Sequence, residues 1–258
     1  MASELRTRSA VGVALIAVTV GALLSGGIIF WILLSVAGVL MQGEWGSLTG
    51  ASVDQRKAAM FAVSVPLALL CPLAAGIDWP VLIAAAAAFF FVALTSRNVK
   101  LACGIVYVCL PVVALQYLRV QPPYTYGLLL TFWALSLVWA TDIGAYFAGR
   151  TIGGPKLAPR VSPSKTWSGL AGGVLAALVT GFLLHRFADL PVQLAAASGL
   201  LAVAAQLGDL FESAMKRRAG VKDSGTLLPG HGGVMDRLDG VVAAAPLAAL
   251  CYMLLANG

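Results

Sequence analysis

The chain has 258 residues, 60% of them hydrophobic and only 11% charged, with a net charge of +6 and a mean hydropathy of +0.90. Soluble globular domains do not reach that apolar fraction, so the composition excludes a water-soluble enzyme and points to an integral membrane protein. The excess of Lys and Arg is read as a topological signal with anionic-lipid and phosphate contact, and no nucleic acid is expected as a partner.

Apolar runs of about 17 to 23 residues, the length that crosses about 30 Å of hydrocarbon at 1.5 Å per residue, recur along the chain. The expected spans are 9–24, 26–42, 59–75, 79–95, 99–118, 126–148, 167–186, 190–210 and 240–256. The fold class is therefore all-α, a polytopic membrane helix bundle of about nine transmembrane helices. Ser25-Gly26-Gly27 separate the first two runs, which leaves a tight helical hairpin or one bent element. The N-terminal basic residues before an apolar run resemble a signal peptide. A second apolar segment follows at once with no small-residue cleavage site, so a retained first helix is expected. With a cytoplasmic N-terminus and nine spans, only Arg119 and Arg186 of the 17 basic residues fall outside, in accord with the excess of Lys and Arg in cytoplasmic loops.

Residues 1–120 read as a transmembrane scaffold and 121–258 as a transmembrane catalytic region with cytoplasmic loops at 149–166 and 211–239. Within the scaffold, Glu44 and Trp45 read as a solvated acid beside an interfacial Trp anchor. The alanines at 84–88 give a smooth surface for close helix packing. Cys71, Cys103, Cys109 and Cys251 lie in or beside spans without CxxC spacing and read as packing residues. No internal repeat of the kind that marks many transporters is present.

From Tyr126 the character changes. Asp142 lies well inside an apolar run, where a carboxylate is a functional candidate or is paired to a neighbouring helix. Tyr146 and Gly149 follow at four and seven residues, on the same helical face. The segment 150–166 carries Arg150, Lys156, Arg160 and Lys165 and no acid. Gly153-Gly154 permit close backbone approach, and Ser164 or Thr166 could cap the next helix so that its free N–H groups face an anion.

The stretch 206–240 holds ten charged residues in a chain that is otherwise almost hydrocarbon. Gln206, Asp209, Ser213 and Lys216 share an arc of about 80° on one helix face, a polar stripe leading out of the membrane. A loop follows with Lys222-Asp223-Ser224-Gly225 and Pro229-Gly230-His231-Gly232-Gly233, and then Asp236 and Asp239 come three apart with Arg237 between them. Carboxylates from two helix ends with basic neighbours suit metal-assisted nucleotide chemistry: the acids hold a hard cation such as Mg²⁺, and the bases neutralise phosphate. His231 and the glycines allow a tight phosphate-facing loop, or the imidazole bonds a carbonyl and does nothing else.

These residues carry a resemblance. Ser213, Met215, Lys216-Arg217, Lys222-Asp223, Gly225, Leu228-Pro229, His231-Gly232-Gly233-Val234 and Asp236-Arg237-Leu238-Asp239 resemble the signature of the phosphatidate cytidylyltransferase family, also called CDP-diacylglycerol synthase. The likeness extends to Gln206, Gly208-Asp209, Glu212, Asp142, Ala145-Tyr146, Gly149-Arg150, Ser162-Pro163 and Lys165-Thr166, so it covers about residues 140–240. One departure stands out: Ser168 replaces the glutamate usual after the Lys-Thr-Trp run.

The resemblance implies transfer of a cytidylyl group from CTP to phosphatidic acid, with membrane lipids as further partners. It implies that Asp209 and Asp236 bind a cation centre containing Mg²⁺ and a second cation such as K⁺, supported by Asp142, Asp223 and Asp239. Lys165, Lys216, Arg217, Lys222 and Arg237 become candidates for CTP and lipid phosphate contacts, with Ser213 and His231 beside them. It is compatible with a homodimer and places the enzyme in a bacterial-type inner membrane with a cytoplasmic active site. Two other readings stay open: a cytidylyltransferase for another lipid phosphate, such as an isoprenoid ether, and a transporter of an anionic solute.

Overall fold

The computed structural model describes residues 2–228, 230 and 232–257. Among these residues it contains α1 (Ala2–Ser25), α2 (Gly27–Leu48), α3 (Val53–Leu69), α4 (Trp79–Ser96), α5 (Val99–Arg119), α6 (Tyr124–Thr151), α7 (Trp167–Ala188), α8 (Val192–Arg218) and α9 (Met235–Ala256). A two-stranded antiparallel hairpin, β1 (Lys156–Ala158) and β2 (Ser162–Thr166), is inserted between α6 and α7. The protein is thus an all-α polytopic membrane bundle with one small hairpin.

Seven of these helices, all but α1 and α3, are long and apolar enough to cross a membrane. The apolar part of α1 runs only over Val11–Ser25. The third expected span, 59–75, is not one helix: α3 ends at Leu69 and a turn follows. Pro72 accounts for the stop, because a proline disfavours helical backbone in the residue before it. Its start lies earlier than expected, fixed by a reciprocal cap in which the Gln55 N–H donates to Ser52 Oγ and the Ser52 N–H to Gln55 Oε1. The break between α1 and α2 is a single residue, Gly26, at φ 60° and ψ −156°, backbone that a side chain would oppose.

The chain divides into two compact units, Met1–Gln116 with Arg218–Leu238, and Tyr117–Arg217 with Asp239–Gly258. The loop 218–238 falls in the first unit, with the N-terminal helices.

In the first unit α2 is held to its neighbours by indole and amide donors: Trp31 Nε1 donates to Leu67 O at 2.7 Å and Trp45 Nε1 to Lys100 O at 2.8 Å. Trp45 is buried and sits against Gly104, so it is a core residue and not the interfacial anchor expected from sequence. Its indole N–H reaches a carbonyl inside the unit, which is how an amphipathic ring is accommodated in a core.

In the second unit α6 and α7 meet through small residues. A Cβ on Gly144 would lie 2.6 Å from Gly172 O, and one on Gly173 would lie 2.9 Å from Thr141 O. Gly149 and Gly169 both approach Thr166 Oγ1, at 2.9 and 3.1 Å from the equivalent positions. Lipid offers no hydrophobic drive between helices, and this near-backbone contact is what brings α6 and α7 together. Trp133 Nε1 donates to Ser198 Oγ at 2.9 Å and ties α6 to α8. Gly208 lets α8 approach the backbone of α9 at Asp239 O.

Candidate active site

The second unit builds a cavity of about 360 Å³ where α6, β2, α7 and α8 converge. Asp142, Tyr146, Gly149 and Arg150 enter from α6, Ser164, Lys165 and Thr166 from β2, and Gln206 and Asp209 from α8. The helical face expected for Asp142, Tyr146 and Gly149 therefore lines one wall. Thr166 is the cap of α7: its Oγ1 accepts from Gly169 N at 3.0 Å. Arg150 donates to the Tyr146 hydroxyl, which holds the guanidinium along that wall.

Ser168 anchors the neighbouring loop. Its hydroxyl donates to Gly153 O, which leaves it to accept from the Thr166 hydroxyl at 3.0 Å. Gly153 and Gly154 sit at φ 66° and 98°, backbone that glycine adopts without strain. The missing glutamate is thus replaced here by a hydroxyl that closes the loop onto the α7 cap. The basic segment was expected as a loop. It folds into the hairpin because Lys156 pairs with Thr166 and Ala158 with Ser162 around a turn containing Pro159.

Lys165 forms an ion pair with Asp209 and donates to Gln206 Oε1 at 3.0 Å. Ser213 Oγ donates to Asp209 Oδ1 at 3.3 Å, so part of the expected polar stripe on α8 is joined. Asp239 experiences like-charge fields from Asp209 and Asp142 and the opposite field of Lys165. Carboxylates thus gather around the ammonium of Lys165, an arrangement of oxygen donors that suits a cation. All the donors are hard oxygens, the chemistry Mg²⁺ prefers. Among the described residues no three His, Cys, Asp or Glu side chains close into a metal cage. Mg²⁺ usually takes only one or two carboxylates and completes its shell with water and phosphate, so such a donor set fits it. Lys216 is placed differently: it is buried and pairs with the fully buried Glu212 at 3.0 Å. Arg217 is exposed and donates from Nε to Val161 O at 3.4 Å, beside the hairpin.

The first unit holds the remaining sequence candidates. Lys222, Asp223 and Arg237 are exposed, and His231 lies outside the described residues. Asp236 opens α9, and three donors converge on its Oδ2: Ser224 N at 2.8 Å, Ser224 Oγ at 2.9 Å and Gly233 N at 2.7 Å. This convergence explains the paired glycines. A Cβ on Gly232 would lie 2.6 Å from Asp236 Oδ2, and one on Gly233 would collide with Ser224 Oγ and the Glu44 carboxylate.

Glu44 is the residue the sequence reading misplaced. It is half-buried and its carboxylate is bonded within the unit: Oε1 accepts from Val234 N at 2.8 Å, and Oε2 accepts from Met235 N and Ser224 Oγ, both at 2.8 Å. These bonds are why the loop 218–238 belongs to the N-terminal unit. The only hint in the sequence was an acid near the end of an apolar helix.

Comparison with known proteins bears on what this arrangement is for. A model of the cytidylyltransferase family matches residues 6–255. The chain belongs to that family. Among its relatives, the phosphatidate cytidylyltransferase of Brucella suis is 38% identical over 253 residues, covering 95% of this chain and 92% of that protein. The enzymes of the same name from Haemophilus influenzae and Bacillus subtilis are 46% identical over 140 residues and 47% over 134, about half of each chain. The cavity of the second unit brings carboxylates together with basic and hydroxyl side chains.

Proposed function

We propose that this protein transfers the cytidylyl group of CTP to the phosphate of phosphatidate, giving CDP-diacylglycerol and pyrophosphate for phospholipid synthesis, in a reaction that depends on Mg²⁺. The observation that carries this reading is the cavity where Asp142 and Asp209 stand with Arg150, Lys165, Ser164 and Thr166. Family membership and the names of the relatives support the choice of substrates.

An oxygen of the lipid phosphate attacks the α-phosphorus of CTP. A P–O bond forms there as the bond to the β-phosphate bridging oxygen breaks, and pyrophosphate leaves with that electron pair. The nucleophile is already an anion, so no side chain need be acylated or phosphorylated. The protein's work is to hold two mutually repelling polyanions in line. Lys165 and Arg150 supply positive charge, and the Ser164 hydroxyl supplies a donor, to phosphate oxygens in the cavity. Lys222, Arg217 and Arg237 are exposed, and their charge adds to the attraction for phosphates at the membrane surface. Asp209 and Asp236 are the proposed Mg²⁺ ligands, each on its own surroundings: Asp209 among the carboxylates gathered around Lys165, Asp236 held rigidly at the start of α9. Mg²⁺, when bound, would neutralise phosphate charge on the departing pyrophosphate.

Purified protein given CTP, phosphatidate and Mg²⁺ is expected to release pyrophosphate and CDP-lipid in equal amounts. Chelation with EDTA should stop the reaction and added Mg²⁺ restore it. Pyrophosphate release without phosphatidate, or uptake of labelled CTP into sealed vesicles with no CDP-lipid formed, would overturn the reading.

The active face is proposed to be cytoplasmic, supported by the clustering of basic residues in alternate loops. With the four native cysteines replaced by alanine, Lys222→Cys should react with a membrane-impermeant maleimide in inverted vesicles and not in right-side-out ones. The opposite labelling pattern would reverse the topology.

A further inference from the structure

We infer that Glu44 is a positioning residue for the reaction: its carboxylate sets the start of α9 and, through the Ser224 hydroxyl, the orientation of Asp236. The inference rests on the proposed role of Asp236 in cytidylyl transfer.

Glu44 approaches from α2, far away in sequence, and meets the N-terminus of α9 with both oxygens. The N–H groups of Val234 and Met235 have no intrahelical carbonyl to bond because they precede or open the first turn. A carboxylate satisfies them and also complements the positive end of the helix dipole. The same Oε2 lies 2.8 Å from Ser224 Oγ, which in turn lies 2.9 Å from Asp236 Oδ2. The hydroxyl has one proton, which is shared between the two carboxylate oxygens and so couples their positions. Ser224 is buried, and its backbone N–H also donates to Asp236 Oδ2. A shift of Ser224 thus moves two of the three donors that set the rotation of Asp236.

The arrangement demands an acid at position 44, not merely a polar side chain. Oε1 takes one donor and Oε2 takes two, so the group must accept on both sides. Glutamine offers an acceptor on one side and an NH₂ on the other. Whichever way it turns, an N–H of the amide faces the Val234 N–H or the Met235 N–H, donor against donor. Glu44→Gln keeps the size of the side chain and removes one accepting face, which makes it a clean probe.

Partners that orient a catalytic or metal-binding carboxylate typically change activity or metal affinity by about 10- to 100-fold when altered. Glu44→Gln is therefore expected to lower kcat about 10- to 100-fold and to raise the Mg²⁺ concentration for half-maximal rate, while KM for CTP stays within about twofold. Hydrogen exchange, measured on the same protein without substrate or metal, should speed up in the peptide covering 224–236 and leave α6 and α7 unchanged. Ser224→Ala removes only the bridging hydroxyl and keeps both Glu44 bonds to the α9 backbone. It should lower kcat about tenfold with a Tm close to wild type.

Wild-type kcat in either folded variant would overturn the inference, as would a fall in Tm of Glu44→Gln with kcat per folded molecule unchanged. Should Glu44→Gln not fold, Ser224→Ala alone decides. A wild-type protein that makes no CDP-lipid would sink the proposed reaction instead. The exchange measurement would then still report whether Glu44 holds the start of α9.

Discussion

Replacing Asp236 with asparagine is expected to lower cytidylyl transfer by about 10²- to 10³-fold while leaving the protein folded in detergent. The two halves of this expectation come from different bonds. Three donors, Ser224 N, Ser224 Oγ and Gly233 N, converge on Oδ2. An asparagine can turn its carbonyl oxygen to that position and keep the geometry, giving up only the charge of the acceptor. Hydrogen bonds to an ionised group are about twice as strong as neutral ones, so the loss in stability is on the order of 1–2 kcal/mol. Activity suffers more, because the amide then directs NH₂ where the second carboxylate oxygen stood, and an amide nitrogen does not ligate Mg²⁺. Turnover should be measured as pyrophosphate and CDP-lipid formed per folded protein, with the Mg²⁺ dependence beside it. A variant with wild-type turnover would remove Asp236 from the reaction. A variant that unfolds would show that Oδ2 is needed for stability before anything else.

The elements that sequence exposed were those whose signal is local. Asp142, Tyr146 and Gly149 fall on one helical face by spacing alone, and all three line the cavity. Thr166 stands directly before an apolar run, where a capping hydroxyl is recognisable, and it does cap α7. The hairpin was hidden because strands of three and five residues, with Pro159 in the turn and Pro163 inside the second strand, show no alternation to read. Glu44 was hidden for another reason. Its partners lie 180 to 191 residues further along the chain, so nothing near it in sequence indicates that its carboxylate is satisfied. Lys216 shows the limit of facial spacing. It lies on the same helical face as Asp209, yet four residues back Glu212 offers a buried partner, and the ammonium goes there.

Lys165→Met tests whether the carboxylates of the second unit act as one charge group. Methionine preserves most of the stem and removes the ammonium that pairs with Asp209 and bonds Gln206 Oε1. Asp239 then keeps the like-charge fields of Asp209 and Asp142 and loses the opposite field of Lys165. Both members of the pair keep some solvent exposure, so screening reduces the penalty to about 1–2 kcal/mol, or about 2–8 °C in Tm without divalent cation. The sign of the Mg²⁺ response is the decisive part. With the ammonium gone the group is more negative and attracts a cation more strongly, so Mg²⁺ should raise the Tm of the variant more than that of the wild type. A tenfold gain in Mg²⁺ affinity would add about 1.4 kcal/mol to that stabilisation at saturating metal. Catalysis should still fall by about 10²-fold or more, since Lys165 is also proposed to supply charge to the phosphates and extra Mg²⁺ affinity does not replace a positioned donor. Equal Mg²⁺ shifts in the two proteins would mean that Lys165 and the cation do not share the field of these carboxylates. The metal reading for Asp209 would then fail even if turnover dropped.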